Sequence, residues 1–293
     1  MKKHKRILLS FLAGMLVMSS LTGCGNADAG AAETAGTAEV AETADATKVE
    51  ETAGETDTDA KVQENTTDGD IVILYTNDVH TYVDGPISYD VIAAVKEELL
   101  TKYGYVYLVD AGDHIQGTAY GSMDNGETII KMMNAAGYDV ATLGNHEFDY
   151  GMFGCMKAID MAQYPYVSCN FHHEEEGVCG DNVLDSYKLF SAGEETIALI
   201  GITTPETITK TTPAYFQDEM GNFIYGIAGG EDGSELYSSV QKAIDDAKAT
   251  GATKVIALGH LGDDPASVPW TSEETIANVT GLHAFIDGHS HST

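Results

Sequence analysis

Five short polar segments, each placed directly after a short apolar run, constrain this chain more than any other feature. They read NDVH, AGDH, GNHE, GHLG and GHSH, and they contain only aspartate, asparagine, glutamate and histidine as candidate metal-binding side chains. In open α/β sheets the functional side chains lie just beyond the strand ends, where neighbouring strands bring them together. The pattern therefore predicts a fold that collects five strand ends at one place.

The hydrophobic pattern of the rest of the sequence supports an α/β architecture. Apolar runs rich in β-branched residues occupy 71–75, 105–109, 140–143, 164–168, 196–202, 254–258 and 284–286, and they alternate with amphipathic stretches at 89–103, 127–136 and 234–249. Such alternation is typical of buried strands covered by helices. No internal repeat is visible. The glycine-rich segment 226–233 matches neither phosphate-loop pattern and is predicted to be a flexible loop.

The net charge and the cysteine spacing of the chain disfavour some classes of function. Fifteen lysines and arginines against 46 acidic residues leave a net charge of −31, which disfavours binding to nucleic acid or to an anionic lipid surface. An anionic substrate would need local positive charge, which bound divalent ions can supply. The four cysteines, Cys24, Cys155, Cys169 and Cys179, contain no close CxxC pair, so a thiolate zinc site is not expected. Cys169 and Cys179 either pair or remain packing thiols.

The first 24 residues have the pattern of a bacterial export signal. Cationic residues at 2, 3, 5 and 6 precede an apolar run at 7–18, and the segment ends in LTGC. LTGC resembles the lipobox of bacterial lipoproteins, which predicts lipidation of Cys24 and attachment to the outer face of the cell membrane. The alternative is an ordinary signal peptide that happens to end near a cysteine.

Residues 25–69 are predicted to be a disordered acidic linker between this anchor and a folded domain at 70–293. The segment consists mostly of Ala, Thr, Glu, Asp and Gly and contains no aromatic residue, so it cannot bury enough apolar surface to offset its chain entropy. An alanine-rich, partly helical stalk is the competing interpretation.

The polar segments supply a candidate metal-ligand set, which consists of Asp78, His80, Asp113, Asn145, His260, His289 and His291. If the chain stays extended, the i, i+2 spacing places Asp78 and His80 on one side, and the same holds for His289 and His291. Asp113 follows a glycine and has two oxygens, so it can bridge two ions. Nitrogen and oxygen donors without thiolates suit Zn²⁺, Mn²⁺, Fe or Co²⁺.

Each segment alone would be weak, because a lone DxH is common and a single histidine after a strand is more often a packing residue. Their joint recurrence after successive apolar runs favours a metal site. Five further histidines carry no such context and are left unassigned: His4, His114, His172, His173 and His283.

The set closely resembles the metallophosphoesterase superfamily, whose pattern is DxH, GD, GNH[DE], GH and a final GHxH or GHxQ. YTNDVH, VDAGDHIQG, LGNHEFDYG and GITTPET resemble the 5'-nucleotidase branch. The resemblance implies a sandwich of two β-sheets flanked by helices. It also implies one divalent ion on Asp78, His80, Asp113 and His291, and a second on Asp113, Asn145, His260 and His289.

The same resemblance gives His146 the role of stabilising the transition state or protonating the leaving oxygen. Asp149 lies three residues further on, so a helical turn would bring its carboxylate beside His146, where it would fix the ring and raise its pKa. The alternative for Asp149 is a charge at a helix start. Two divalent ions would activate water and neutralise phosphoryl oxygens, so hydrolysis of a phosphate ester is expected.

In that family a second domain follows the metal domain and holds the nucleotide, whereas this sequence ends two residues after His291. The expectation is a fragment of a longer gene product, or a poorly active and marginally stable protein. Three functions stay open: a nucleotide phosphohydrolase, a metallophosphoesterase with another substrate, and a lipoprotein that only binds ligand or metal.

Overall fold

The computed structural model describes residues 7–11, 69–175 and 177–292, with the backbone alone for 7–11. Cys24 and His4 lie outside the described residues, as does the expected linker except for Gly69.

Twelve strands are found in this part of the chain, and the first lies inside the predicted export signal. In chain order they are β1 Ile7–Phe11, β2 Ile71–Thr76, β3 Tyr105–Asp110, β4 Val140–Thr142, β5 Tyr166–Val167, β6 Phe171–Glu175, β7 Val178–Asn182, β8 Tyr187–Ala192, β9 Glu195–Thr203, β10 Tyr225–Ile227, β11 Lys254–His260 and β12 Ala284–Ile286.

The strands form three sheets. The first is fully parallel, in the order β1-β2-β3-β4-β5. The second has the order β12-β11-β9-β8 and is parallel except for the antiparallel pair of β8 and β9. A small antiparallel sheet contains β10, β6 and β7. The third sheet was not anticipated, because β6 and β7 are polar and largely exposed and lack a hydrophobic period.

Seven α-helices occur among the described residues: α1 Tyr89–Leu100, α2 Ala119–Ser122, α3 Glu127–Ala136, α4 Gly151–Met161, α5 Thr207–Lys210, α6 Ser234–Ala249 and α7 Ser272–Asn278. Short 3₁₀ turns cover His146–Phe148, Pro213–Phe216 and Pro265–Ser267. Within the described ranges, none of these helices combines the length and the apolar character needed to cross a membrane.

Successive side chains of β2 point to opposite faces of the first sheet and pack in two different apolar clusters. Ile71 and Ile73 of β2 share one fully buried cluster with Leu199 of β9 and Leu258 of β11, so this cluster lies between the two large sheets. The intervening residues Val72 and Leu74 belong to a second cluster, which includes Ile92 of α1 and Ile129 and Met133 of α3. Each fully buried Ile or Leu side chain contributes about 1.5–3 kcal/mol. The predicted two-sheet sandwich flanked by helices is confirmed.

The opposite face of the second sheet packs on α6 in the same way. Ile200 and Ala198 of β9 join Val240 and Ile244 of α6 in a third cluster. The i, i+4 spacing of Val240 and Ile244 is what one helical face requires. The two large sheets thus have helices on their outer faces and a shared apolar layer between them.

Three sequence expectations need correction. Segment 226–233 is not loop throughout, because Gly226 and Ile227 belong to β10, where Gly226 is opposite His172. The run at 164–168 forms only the two-residue strand β5. The first amphipathic stretch also ends earlier than expected, at Leu100, whereas α3 and α6 have the predicted bounds.

Candidate metal centre

All seven predicted ligands follow or end parallel strands of the two large sheets. Asp78 and His80 follow β2, Asp113 follows β3 and Asn145 follows β4; His260 ends β11, and His289 and His291 follow β12. Backbone hydrogen bonds join these loops, since Asp78 N donates to Gly112 O and His80 N to Asp113 O, each at 3.0 Å. The structure therefore brings residues from opposite ends of the chain to one place.

The backbone of these loops is locally strained. Five of the seven predicted ligands have positive φ angles: Asp78 50°, His80 46°, Asp113 60°, His289 84° and His291 54°. Residues with a Cβ rarely adopt this left-handed region, and each such position costs about 1–3 kcal/mol. The chain past β2 and β12 is therefore not extended. The predicted i, i+2 alternation of an extended chain does not explain why these side chains meet. The side chains converge through left-handed turns instead.

Two glycines allow the close approach of the loops. A Cβ on Gly144 would lie 2.2 Å from Asp113 Oδ1, and one on Gly112 would lie 2.5 Å from Gly144 N and 2.9 Å from His260 Nδ1. Gly112 also has φ +94°. Only glycine leaves room there for the carboxylate of Asp113 and the ring of His260.

One half of the site is formed by Asp78, His80 and His291. Their ligand atoms lie within 4.8 Å of one another. His80 Nε2 is 3.2 Å from His291 Nε2, and His291 Nε2 is 3.4 Å from Asp78 Oδ1. His80 Nδ1 contacts Gln116 O at 3.2 Å, so Nε2 is the nitrogen that remains for an ion.

The other half is formed by Asp113, His260 and His289, again with ligand atoms within 4.8 Å of one another. His260 is fully buried, and its Nδ1 donates to Ala111 O at 2.7 Å, which directs Nε2 into the cluster. Asp113 Oδ2 lies 3.0 Å from that Nε2 and 3.9 Å from His80 Nε2. Asp113 therefore lies between the two halves, which also approach each other through Asp78 Oδ1 and His260 Nε2 at 3.8 Å.

Unsatisfied buried atoms show that these residues fit a metal. Among the described side chains, five polar atoms are buried without a hydrogen-bond partner, and two of them, Asn145 Oδ1 and His260 Nε2, belong to predicted ligands. The 3.0 Å contact of His260 with Asp113 is close but not aligned as a hydrogen bond. Buried polar atoms without partners are rare, because each costs about 1–3 kcal/mol. Divalent ions would satisfy both atoms.

The electrostatics agree with a cation site. Burial lowers the pKa of His260, but the carboxylates of Asp113 and Asp78 outweigh it and raise the pKa to about 10. For Asp113, burial acts to raise the pKa, and the neighbouring histidines His260, His146 and His80 outweigh it and lower the pKa. The site thus favours positive charge on its histidine side, and a bound cation supplies that charge in place of protons.

His146 and Asp149 lie beside this cluster on the 3₁₀ turn. Asp149 Oδ2 is 2.6 Å from His146 Nδ1, and this hydrogen bond is the main cause of a raised pKa of His146. The His146 ring is edge-on to His80 at a centroid distance of 5.1 Å, and His146 N donates to Asp113 Oδ1 at 2.8 Å. One His146 nitrogen also lies within 4.8 Å of His80 and Asp113 ligand atoms. Since Asp149 holds Nδ1, Nε2 is the free nitrogen.

Sequence reasoning missed the carboxylate of Glu147, which holds the backbone of two ligand-bearing loops. It is buried and accepts hydrogen bonds from the backbone N–H groups of Asp113 at 2.8 Å, His114 at 2.9 Å and Gly144 at 2.7 Å. It therefore joins the loop after β3 to the loop after β4. The signal in the sequence is the final glutamate of GNHE, next to the predicted ligand Asn145 and to His146.

His114 is a structural residue. It is fully buried, with Nδ1 2.7 Å from Asp110 Oδ1 and Nε2 2.6 Å from Tyr166 Oη.

Of the other unassigned histidines, His283 accepts from Val255 N at 3.1 Å and His172 contacts Asn170 O at 3.2 Å. Within the described ranges, His114, His172, His173 and His283 belong to none of the three ligand groups.

Comparison with known proteins points to one family. The family model described as calcineurin-like phosphoesterase matches residues 71–293. Snake venom 5'-nucleotidase of Gloydius brevicauda is 32% identical over 244 residues, which are 76% of this chain and 37% of that protein. The 5'-nucleotidase of Homo sapiens is 29% identical over 246 residues, covering 76% and 38%. The chain thus spans about two fifths of the length of these relatives.

Solved structures show the same likeness. NAD nucleotidase of Haemophilus influenzae superimposes with a TM-score of 0.60 at 25% identity, covering 75% of this chain and 38% of that one. The calcineurin-like phosphoesterase YfkN of Bacillus subtilis gives a TM-score of 0.59 at 25% identity, covering 75% and 72%. The match of the family model begins at β2, so it includes every predicted ligand and both large sheets except β1.

Proposed function

Because this chain belongs to the calcineurin-like phosphoesterase family, whose members use divalent metal ions, we propose that it hydrolyses phosphate esters at a dinuclear site. The observation that carries the proposal is the convergence of six predicted ligands, Asp78, His80, Asp113, His260, His289 and His291, in close groups. In addition, Asn145 Oδ1 and His260 Nε2 are buried without hydrogen-bond partners. A packing explanation leaves those two atoms unexplained.

The ligand assignment follows the two halves of the cluster. Asp78, His80, Asp113 and His291 would hold one ion, and Asp113, Asn145, His260 and His289 the other. Contacts at 3.9 Å to His80 Nε2 and 3.0 Å to His260 Nε2 support a bridging role for Asp113. When bound, such ions act as Lewis acids that lower the pKa of water and neutralise phosphoryl oxygens.

His146 is proposed as the residue that supplies a proton to the leaving oxygen. Its Nδ1 is held by Asp149, its pKa is raised, and its side chain keeps 32% of its surface exposed. An imidazole whose Nδ1 is fixed by a carboxylate presents Nε2 in a defined direction, which general acid catalysis requires. Asp149 acts through His146 and is a positioning residue.

Nucleotides are the proposed substrate class. The relatives named above are 5'-nucleotidases and an NAD nucleotidase, which supports this choice. Residues 69–292 contain no arginine, so a guanidinium fork from this part of the chain is not available for the phosphate. Divalent ions are then the main source of concentrated positive charge on a chain with a net charge of −31.

Cellular placement is part of the proposal. Lipidation of Cys24 would attach the protein to the outer face of the cell membrane, with residues 25–69 as the spacer. The LTGC segment after an apolar run supports it. Metabolic labelling with a fatty acid, with Cys24→Ser as the control, checks this part independently of catalysis.

The catalytic proposal is tested with the purified chain and Mn²⁺. We expect phosphate release from AMP and nitrophenol release from bis-p-nitrophenyl phosphate; release only from the second would favour a non-nucleotide phosphoesterase. His146→Ala should lower kcat by about 10²–10⁴-fold with unchanged metal content. Metal binding without turnover of either substrate would favour the binding lipoprotein instead.

A further inference from the structure

The segment after β9 places a carboxylate on the outer side of the candidate metal centre. Glu206 Oε2 lies 2.9 Å from His289 Nε2. Glu206 is four residues before Lys210, whose Nζ lies 3.2 Å from the same carboxylate and 3.1 Å from His289 Nε2. Neither Glu206 nor Lys210 is among the ligand or catalytic residues predicted from the sequence. We propose that Glu206 is a positioning residue that turns His289 towards the second ion.

The tautomer of His289 decides what this contact does. Two arrangements are conceivable: Nε2–H donates to Glu206, or Nε2 accepts from the Lys210 ammonium while Nδ1 carries the proton. In the second arrangement a nitrogen lone pair would face a carboxylate oxygen at 2.9 Å, which is repulsive. Nε2 therefore carries the proton and Glu206 accepts it, which leaves the Nδ1 lone pair for an ion.

Glu206 is itself held in place, which a positioning role requires. Ser267 Oγ donates to Glu206 Oε2 at 2.9 Å, and Glu206 N donates to Thr204 Oγ1 at 3.3 Å. Thr203, Thr204 and Thr207 around it are fully buried. Ser267, Lys210 and His289 therefore all contact the Glu206 carboxylate and fix its position.

Lys210 has a different role in this arrangement. Its ammonium neutralises Glu206 from the exposed side, with 44% of the Lys210 side chain accessible. When Nε2 of His289 carries the proton, Lys210 can donate to Glu206 but not to the ring, so its 3.1 Å approach to Nε2 is then not a hydrogen bond. The two residues therefore make separable predictions. Removal of the carboxylate frees the His289 ring to rotate and change tautomer, whereas removal of the ammonium leaves the bond between Glu206 and His289 intact.

The experiment counts and titrates ions on the full chain, so it does not depend on activity. The chain is stripped with a chelator and titrated with Co²⁺, whose visible absorption reports the ligands, with metal analysis of the loaded protein. Glu206→Ala is expected to weaken one of the two ions by about 10–100-fold and to change its absorption band. Glu206→Gln, which keeps a carbonyl acceptor, should recover most of that loss. Lys210→Met should weaken neither ion more than about threefold, less than the loss of one metal-ligand support.

Glu273→Ala, an exposed residue at the start of α7, is the matched control, and thermal unfolding of each metal-free variant checks the fold. Equal affinity and spectrum for Glu206→Ala and the unmodified chain would overturn the proposal. So would a larger loss in Lys210→Met than in Glu206→Ala, because it would establish the other tautomer.

The inference rests on the dinuclear part of the proposed function, and the same samples separate the two. Phosphate release from AMP is measured on the loaded chains. Two bound ions with no hydrolysis in the unmodified chain would refute the catalytic proposal and leave the role of Glu206 standing. Fewer than two ions on the unmodified chain would overturn both.

Discussion

The Nε2 atoms of His80 and His291 lie 3.2 Å apart, although the residues are 211 positions apart in the sequence. Two neutral imidazoles can approach this closely only if one donates a proton to the other or if a cation lies between them. Asp78 Oδ1, 3.4 Å from His291 Nε2, adds the negative charge that favours the cation. This contact connects the end of the sequence to its first polar segment.

A metal requirement for stability follows from this contact. Removal of divalent ions with EDTA should lower Tm, because the carboxylates and imidazoles of the cluster then lose their common partner. Adding Mn²⁺ or Zn²⁺ at about 100 times Kd should restore about 2.7 kcal/mol. Differential scanning fluorimetry measures it, with Mg²⁺ as a weaker comparison for a nitrogen-rich site. An unchanged Tm across these conditions would contradict the assignment.

His291→Ala should separate metal binding from folding. The His291 side chain is 52% exposed, so its truncation removes little packing, and metal-free stability should change by no more than about 0.5 kcal/mol. Metal analysis should nevertheless find less than the full complement of ions. A variant that melts early even without metal would show that His291 supports the fold.

The bond between Asp149 and His146 predicts a graded loss of activity. Asp149→Asn keeps the size of the side chain but removes the charge that holds and raises the pKa of His146. We expect kcat to fall by about 10–100-fold, less than for His146→Ala, because the imidazole remains. KM and metal content should stay close to those of the unmodified chain. A loss of metal in Asp149→Asn would place its effect on ligation.

Glu147→Gln should destabilise the protein by about 2–4 kcal/mol. The buried carboxylate accepts backbone hydrogen bonds from Asp113, His114 and Gly144, and an amide would direct N–H groups at some of these donors. Urea denaturation of the metal-free chain measures the change. Glu273→Gln, on an exposed helix position, should stay within about 0.5 kcal/mol. Similar results for the two variants would contradict the role given to Glu147.

The cysteines predict an ordered pattern of thiol labelling. Cys155, Cys169 and Cys179 are free in the structure, and only Cys179 of these three is exposed. Burial raises the pKa of Cys169 to about 12, so this thiol stays protonated and unreactive at pH 8. In a Cys24→Ser background, one thiol should react quickly in the native state and two more only in denaturant, and Cys179→Ser should remove the fast one. Rapid loss of both Cys169 and Cys179 thiols without reagent would instead indicate that they pair.

Much of the fold could be predicted because its signals are local. The apolar runs at 71–75, 105–109, 254–258 and 284–286 became β2, β3, β11 and β12, and α3 and α6 have the predicted bounds. These elements bury one strand face or one helix face, which leaves a periodic trace in the sequence. The strands β6 and β7 left no such trace, since most of their residues face solvent.

The sequence by itself determined the kinds of donor atoms and their placement after strands, which is why the family resemblance and the ligand candidates could be read from it. Only the tertiary structure decided which atoms meet. It placed His289 beside Glu206 and His291 beside His80, although the two histidines are two residues apart, and it used Glu147 to tie two loops together. Those contacts depend on left-handed turns and on long-range packing of separate strands, and neither has a local signature in the chain.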